Sequence, residues 1–302
     1  MEKCLFVYNA QSGKGKVKRK EKEIVSLLSQ RYYVEVYQSE YAGHISQIIE
    51  EKGNVELIVV AGGDGTLNEV VNAIMQIKSK AKIGYIPTGT VNDVAHSLGI
   101  KKNIKKAVKD ILEGCVFKHD VFKVNDRYGI YVCCSGLFTE TSYETSQKQK
   151  RKIGKIAYAL HGCKKIFSTK SLNLKLEYEG GIVEGKFAIM LLINSRSVAG
   201  FKINKRACLN DGLIDVVLIK SKKDKVGICS VLNVATFFLN GIKKKNNKNI
   251  IKLKLNKFHV EIPENTTINL DGERVSNGSF DFSVIKEGIS IIIPKNFKLI
   301  KN

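Results

Sequence analysis

The run 55-VELIVVA-61 shows no polar alternation toward its end and passes directly into 62-GGDGTLNE-69. A strand apolar on both faces must be covered on both, as in a parallel sheet between two layers of helices. The amphipathic stretch 67-LNEVVNAIMQI-77 supplies one such cover. The same unit recurs around it. Residues 4-CLFVYN-9 lead into 9-NAQSGKG-15 and a helical spacing over 17–30, with Ile24, Val25, Leu27 and Leu28 apolar. The strand-like 32-YYVEVYQ-38 precedes a helix over 44–52, and 82-KIGYIP-87 precedes 87-PTGTVND-93 and helices over 91–98 and 103–113. This alternation predicts a doubly wound α/β domain whose ligand crevice lies outside the carboxyl ends of the strands.

After about residue 115 the pattern becomes one of short alternating strands: 117–125, 128–136, 172–180, 183–194, 214–220, 250–262 and 289–294. Two helical stretches interrupt it, at 151–169 and 224–241. The expected organisation is α/β: an N-terminal doubly wound parallel-sheet nucleotide domain (1–120) followed by a C-terminal antiparallel β-sandwich domain (121–302), the last residues returning to the first domain.

Three glycine-bearing loops end predicted parallel strands. In 61-AGGDGT-66 a strand opens onto a helix N-terminus, where unsatisfied N–H groups and the positive end of the dipole attract anions. Glycine lets the backbone approach phosphate oxygens, and Thr66 offers a cap and a hydroxyl. The phosphate-loop pattern G-x-x-x-x-G-K-(S/T) is absent, and Asn68 stands where G-x-G-x-x-G needs its third glycine. The acid Asp64 beside phosphate calls for a cation between them, which points to Mg²⁺ held partly through water. The loop 87–93 repeats the logic with Thr90 and Asp93, and 9–15 is the third. Together they predict nucleotide binding.

The series G-G-D-G-T-L-N-E at 62–69, P-T-G-T-x-N-D at 87–93, 210-NDGLIDV-216 and 271-DGE-273 resembles, in that order, the diacylglycerol kinase catalytic domain of soluble bacterial lipid kinases, related to sphingosine kinases. The resemblance implies ATP held by Asn9, Ala10, Gln11, Ser12, Gly13, Ser39, Gly63, Asp64, Gly65, Thr66, Leu67, Asn68, Glu69 and Thr90. It implies Mg²⁺ held by the Asp211 carboxylate and the main-chain oxygens of Cys208 and Leu213, with Asp64 and Asp93 facing it through water. It also implies Glu273 as proton acceptor, with Asp271 beside it as orienting group, metal ligand or the base itself. If 271–273 is extended, both carboxylates project from one face. The implied reaction is transfer of the ATP γ-phosphate to a lipid hydroxyl, diacylglycerol giving phosphatidic acid. Sphingoid bases, undecaprenol and phosphatidylglycerol carry comparable hydroxyls. The chain departs from the family pattern at Ala10, where proline is usual, at Ser39 for threonine, at His96 for arginine, and at Ala199-Gly200 for a glycine pair.

A net charge of +21 speaks to partners rather than to fold. The runs 148-KQKRKIGK-155, 163-CKKIFSTK-170 and 243-KKKNNKN-249 suggest an anionic membrane surface, with Phe167, Phe237 and Phe238 inserting beside them. A basic nucleic-acid-binding protein is the rival from another class, but no aromatic-interleaved basic motif is present; an NAD kinase is the enzymatic rival. Seven cysteines without a C-x-x-C pair argue against a zinc site and a disulfide framework and fit reduced thiols. The opening residues read as a first strand rather than a signal peptide, and no apolar run reaches the roughly 20 residues of a membrane span. The expectation is a cytoplasmic protein peripherally associated with the inner membrane face. An exposed sheet edge would suit a homodimer.

Overall fold

The strands that the sequence leaves without polar alternation are the buried ones. In the computed structural model, which describes residues 1–10, 12–137, 170–242 and 247–297, β3 (Leu57–Gly62) is buried at every position and β4 (Lys82–Pro87) at all but its first. With β1 (Glu2–Asn9) and β2 (Tyr32–Ser39) they form a parallel array in the order β4-β3-β1-β2. The end of β15 (Phe280–Ile293) extends it beside β4, pairing Ser290 with Lys82 and Ile291 with Ile83.

Helices cover both faces. On one, Cys4, Phe6, Tyr8, Leu57, Val59 and Ala61 cluster with Val17, Ile24 and Leu28 of α1 (Lys16–Leu28) and with Ala107, Val108 and Ile111 of α5 (Ile104–Glu113). Strand alternation puts Leu5, Val7, Ile58 and Val60 on the other face, equally buried, where α2 (His44–Lys52) and α3 (Asp64–Gln76) pack together. Each such aliphatic side chain contributes roughly 1.5–3 kcal/mol on burial. The short α4 (Asp93–Ser97) follows β4. Then β5 (Cys115–Val124) pairs antiparallel with β6 (Arg127–Gly129).

The chain divides into two compact units, Met1–Tyr131 with Asn194–Gly212 and Val284–Asn302, and Val132–Ile193 with Leu213–Ser283. The division falls at Tyr131 rather than near residue 120. Asn194–Gly212, expected in the second domain, belongs to the first unit, held there by contacts described below.

Among the described residues, the strand pairs of the second unit are all antiparallel. Its elements are β7 (Val132–Gly136), β8 (Leu172–Tyr178), β9 (Gly181–Ile193), β10 (Ile214–Lys220), α6 (Ile228–Asn240), β11 (Ile250–Leu255), β12 (Lys257–Glu261), β13 (Thr267–Leu270), β14 (Glu273–Asn277) and the start of β15. The first half of β9 pairs with β8, and its second half lies between β7 and β10. Two predicted strands are in fact pairs: 128–136 breaks into β6 and β7, and 250–262 breaks at Asn256 into β11 and β12. Gln11, the predicted helix over 151–169, the basic run 148–155, Cys163, Phe167 and residues 243–246 lie outside the described residues.

Candidate active site

Strand register brings the three glycine loops to one level. Asn9 pairs with Ser39, Tyr8 with Ala61, and Gly62 with Pro87. β1 has β2 on one side and β3 on the other, so the chain reverses direction here. The crevice at such a switch point is where open α/β sheets bind ligands. Asn9, Ala10, Ser12, Gly13, Ser39 and residues 63–66 are partly accessible at this edge, and Thr90 is exposed.

The loops are locked to one another at short range. Ser12 Oγ and Thr88 Oγ1 share a 2.8 Å hydrogen bond, and Thr88 N donates to Gly62 O at 2.8 Å. A Cβ on Gly89 would sit 2.6 Å from Gly63 Cα and 2.6 Å from Asn92 Oδ1. Only glycine permits this approach of two backbones. α3 opens at Asp64 behind Gly63, with no side-chain cap on its first turn, which leaves an anion-binding helix N-terminus facing the crevice.

The two acids of α3 do work that the sequence did not disclose. Asp64 Oδ2 accepts from Asp93 N at 3.0 Å and Oδ1 from Val94 N at 3.2 Å. It thereby caps α4, whose own N-cap Asn92 makes no side-chain cap bond. Burial pushes the Asp64 carboxyl up to about 6; those amides pull against the rise, and the Asp93 charge adds to it. Glu69 Oε1 accepts from Ile45 N at 2.9 Å and Ser46 N at 3.2 Å, capping α2 in the same manner. Asn68 is buried and donates to Tyr128 O at 3.1 Å, and Leu67 is in the core. The side chains of Leu67, Asn68 and Glu69 are therefore committed to the fold.

From Asp93 the network continues into Asn194–Gly212. Asp93 Oδ1 accepts from Ser197 Oγ at 2.6 Å and Gly200 N at 3.0 Å, and Ser97 Oγ accepts from Arg196 N at 2.9 Å. A residue missed in the sequence completes it. Asp120 of β5 is fully buried; its Oδ2 accepts from Gly212 N and its Oδ1 from Glu287 N, both at 2.7 Å. Asp120 N also donates to Leu209 O at 2.8 Å. Burial raises the Asp120 carboxyl, these amides lower it, and neighbouring Asp211 adds an upward push. The signal was present: an acid in 117-FKHDVFKVN-125, a run otherwise suited to a strand, where aspartate is unfavourable.

The implied magnesium can be tested against these groups. Among the described residues no three His, Cys, Asp or Glu side chains cluster as metal ligands. Cys208 Sγ donates to Asn210 Oδ1 at 3.4 Å. Oxygen is nonetheless abundant: Asp211 lies near Asp120, and Asn194, which donates to Asp120 O at 3.0 Å, has a buried Oδ1 with no hydrogen-bond partner. A hard, water-carrying cation fits such a donor set.

Asp271 and Glu273 belong to the second unit. The segment is not extended. Asp271 and Gly272 have φ of 51° and 95° between β13 and β14, and Leu270 pairs with Glu273. This is a two-residue hairpin turn that needs positive φ at both positions, for which Asp-Gly is a favoured sequence. Asp271 is buried, its Oδ1 accepting from Val132 N at 2.9 Å and its N donating to Val132 O at 2.9 Å. Glu273 is exposed. The two carboxylates thus differ in setting, one fixed in the turn and one exposed.

Known proteins share this architecture. The model of the diacylglycerol kinase catalytic domain matches residues 3–124. A diacylglycerol kinase of Staphylococcus carnosus (strain TM300) is 34% identical over 303 residues, covering 98% of this chain and 97% of that protein. One from Bacillus subtilis (strain 168) is 31% identical over 300 residues, covering 98% and 97%. The crystal structure of a diacylglycerol kinase from Bacillus anthracis str. Sterne aligns with TM-score 0.80 at 24% identity, covering 97% of both chains. The likeness to that structure is one of fold; identities of 31% and 34% over nearly the whole length go further, and the chain belongs to the diacylglycerol kinase family.

Proposed function

We propose that the protein transfers the γ-phosphate of ATP to the free hydroxyl of diacylglycerol, giving phosphatidic acid and ADP. The observation that carries this reading is the convergence of three interlocked glycine loops and an uncapped helix N-terminus at the switch point. Such an edge suits a polyphosphate, and the family's substrate supplies the acceptor. Main-chain amides of Ala10, Ser12, Gly13 and residues 63–66, with the hydroxyls of Ser12, Ser39, Thr66 and Thr90, hold the nucleotide. The Asp211 carboxylate, with the main-chain oxygens of Cys208 and Leu213, would hold Mg²⁺, and Asp64 and Asp93 would reach it only through water. Bound there, the ion would neutralise charge on the phosphates.

In the transfer the lipid oxygen attacks the γ-phosphorus, the bond to the β–γ bridging oxygen breaks, and ADP leaves. Glu273 takes the proton of the hydroxyl. Its exposure supports this assignment over Asp271, whose carboxylate accepts the Val132 amide and whose φ is held at 51°. Asp271 acts as a positioning residue that fixes the turn. The protein would work where its substrate lies, at an anionic membrane surface.

The test is a panel of acceptors in mixed micelles with labelled ATP: diacylglycerol, a sphingoid base, undecaprenol, phosphatidylglycerol and, in buffer, NAD. Label in phosphatidic acid, dependent on added Mg²⁺, is expected. Label in NAD without label in any lipid would overturn the reading.

A further inference from the structure

α6 (Ile228–Asn240, ICSVLNVATFFLN) is apolar on two opposite sides. Ser230, Val234 and Phe237 are buried against the second unit. At about 100° per residue, Ile228, Leu232, Ala235 and Leu239 fall together on the opposite side. They are exposed, Ile228 by 56%, Leu232 by 58% and Leu239 by 78%. Phe237, expected from sequence to face outward, is in the core, and Phe238 is half-buried. A helix apolar on both faces is unusual for one resting on a water-exposed surface.

The surroundings of this face are basic. Lys220, Lys222, Lys223 and Lys225 precede the helix and Lys248 follows it, all exposed. Lys220 N donates to Asn249 O at 2.8 Å, so the segments entering and leaving α6 lie at the same end of the β10–β11 pair. The only acid between Lys220 and Asn249 is Asp224, and it is paired with Lys186 at 2.6 Å. An apolar stripe beside a concentration of exposed lysines has the chemistry of an interfacial helix. Its charge complements anionic lipid.

We propose that the Ile228–Leu232–Ala235–Leu239 face of α6 docks the protein on an anionic bilayer, the leucines and isoleucine entering the interface and the lysines meeting the headgroups. This rests on the lipid-kinase reading above and names the surface by which that reaction reaches its substrate.

The experiment compares the parent with Leu232→Gln/Leu239→Gln and with Lys222→Gln/Lys223→Gln. Each is measured for binding to vesicles of phosphatidylcholine with and without phosphatidylglycerol, for melting temperature, for oligomeric state, and for phosphorylation of a short-chain, water-soluble diacylglycerol. The parent is expected to bind only the anionic vesicles. The leucine pair should lose on the order of tenfold or more in partitioning, and the lysine pair roughly fivefold per lysine at low salt. Melting temperature and activity on the soluble substrate should not change. Unchanged vesicle binding by the leucine pair, or no binding by the parent, would overturn the docking proposal. So would a lowered melting temperature, which would mean the face is covered within the chain, or loss of a dimer in the leucine pair, which would mean a second copy covers it. Absence of activity on the soluble substrate in the parent would count instead against the kinase reading.

Discussion

Asp64→Asn separates two accounts of the acid in the glycine loop. In the first, the charge serves a cation; in the second, the carboxylate is a cap that ties the loop to α4. The structure favours the second, since both oxygens accept amides of Asp93 and Val94. Burial raises the carboxyl from 3.8 to about 6, which at about 1.4 kcal/mol per pH unit is worth about 3 kcal/mol. The sign follows from proton binding. Between about pH 4 and 6 the folded state holds a proton that the unfolded state releases. This group's stabilising contribution is therefore complete below about pH 4 and lost as pH rises through about 6. Asparagine copies the neutral carboxyl but meets one of the two amides with a donor, at a cost of about 1–2 kcal/mol. The variant should consequently equal or exceed the parent in stability at pH 8, by up to about 2 kcal/mol. Its advantage should shrink as pH falls and reverse near pH 4, where only the asparagine cost of about 1–2 kcal/mol remains. Urea midpoints by circular dichroism between pH 4 and 8, with EDTA and then with Mg²⁺, measure this; the chain has no tryptophan to follow. A variant less stable than the parent at pH 8 would refute the reasoning, and a parent profile flattened by Mg²⁺ would put the cation at Asp64 after all.

Other perturbations probe the rest of the network. Gly89→Ala drives a Cβ to 2.6 Å from Gly63 Cα, so ATP affinity by calorimetry should fall about tenfold or more as the loops separate. Asp120→Ala strands the amides of Gly212 and Glu287; a loss of about 2–4 kcal/mol is expected, with faster hydrogen exchange at those two amides.

The α/β half was legible because its strands are apolar on both faces and its loops carry glycine where backbones meet, as at Gly63 and Gly89. Parallel register then puts Asn9, Ser39, Gly62 and Pro87 at one edge without further information. What was not legible depends on contacts distant in sequence. Nothing local marks Asp64 as the cap of α4 or Glu69 as the cap of α2, since each partner lies more than 20 residues away. Asn194–Gly212 has no regular structure of its own, and its place is set by Asp93, Ser97 and Asp120, so composition could not assign it. The DGE triplet reads as easily as a strand as a turn; the positive φ at Asp271 and Gly272 decides for the turn and thereby parts the two carboxylates.

The central claim is that this chain moves phosphate from ATP to a lipid hydroxyl with Glu273 receiving the proton. Its most direct test is a single-turnover reaction of the parent and Glu273→Gln with γ-labelled ATP and diacylglycerol, with ATP binding measured on the same preparations. The account predicts labelled phosphatidic acid from the parent, a loss of at least about a hundredfold in the variant, and ATP binding preserved in both. Full transfer by Glu273→Gln would contradict it.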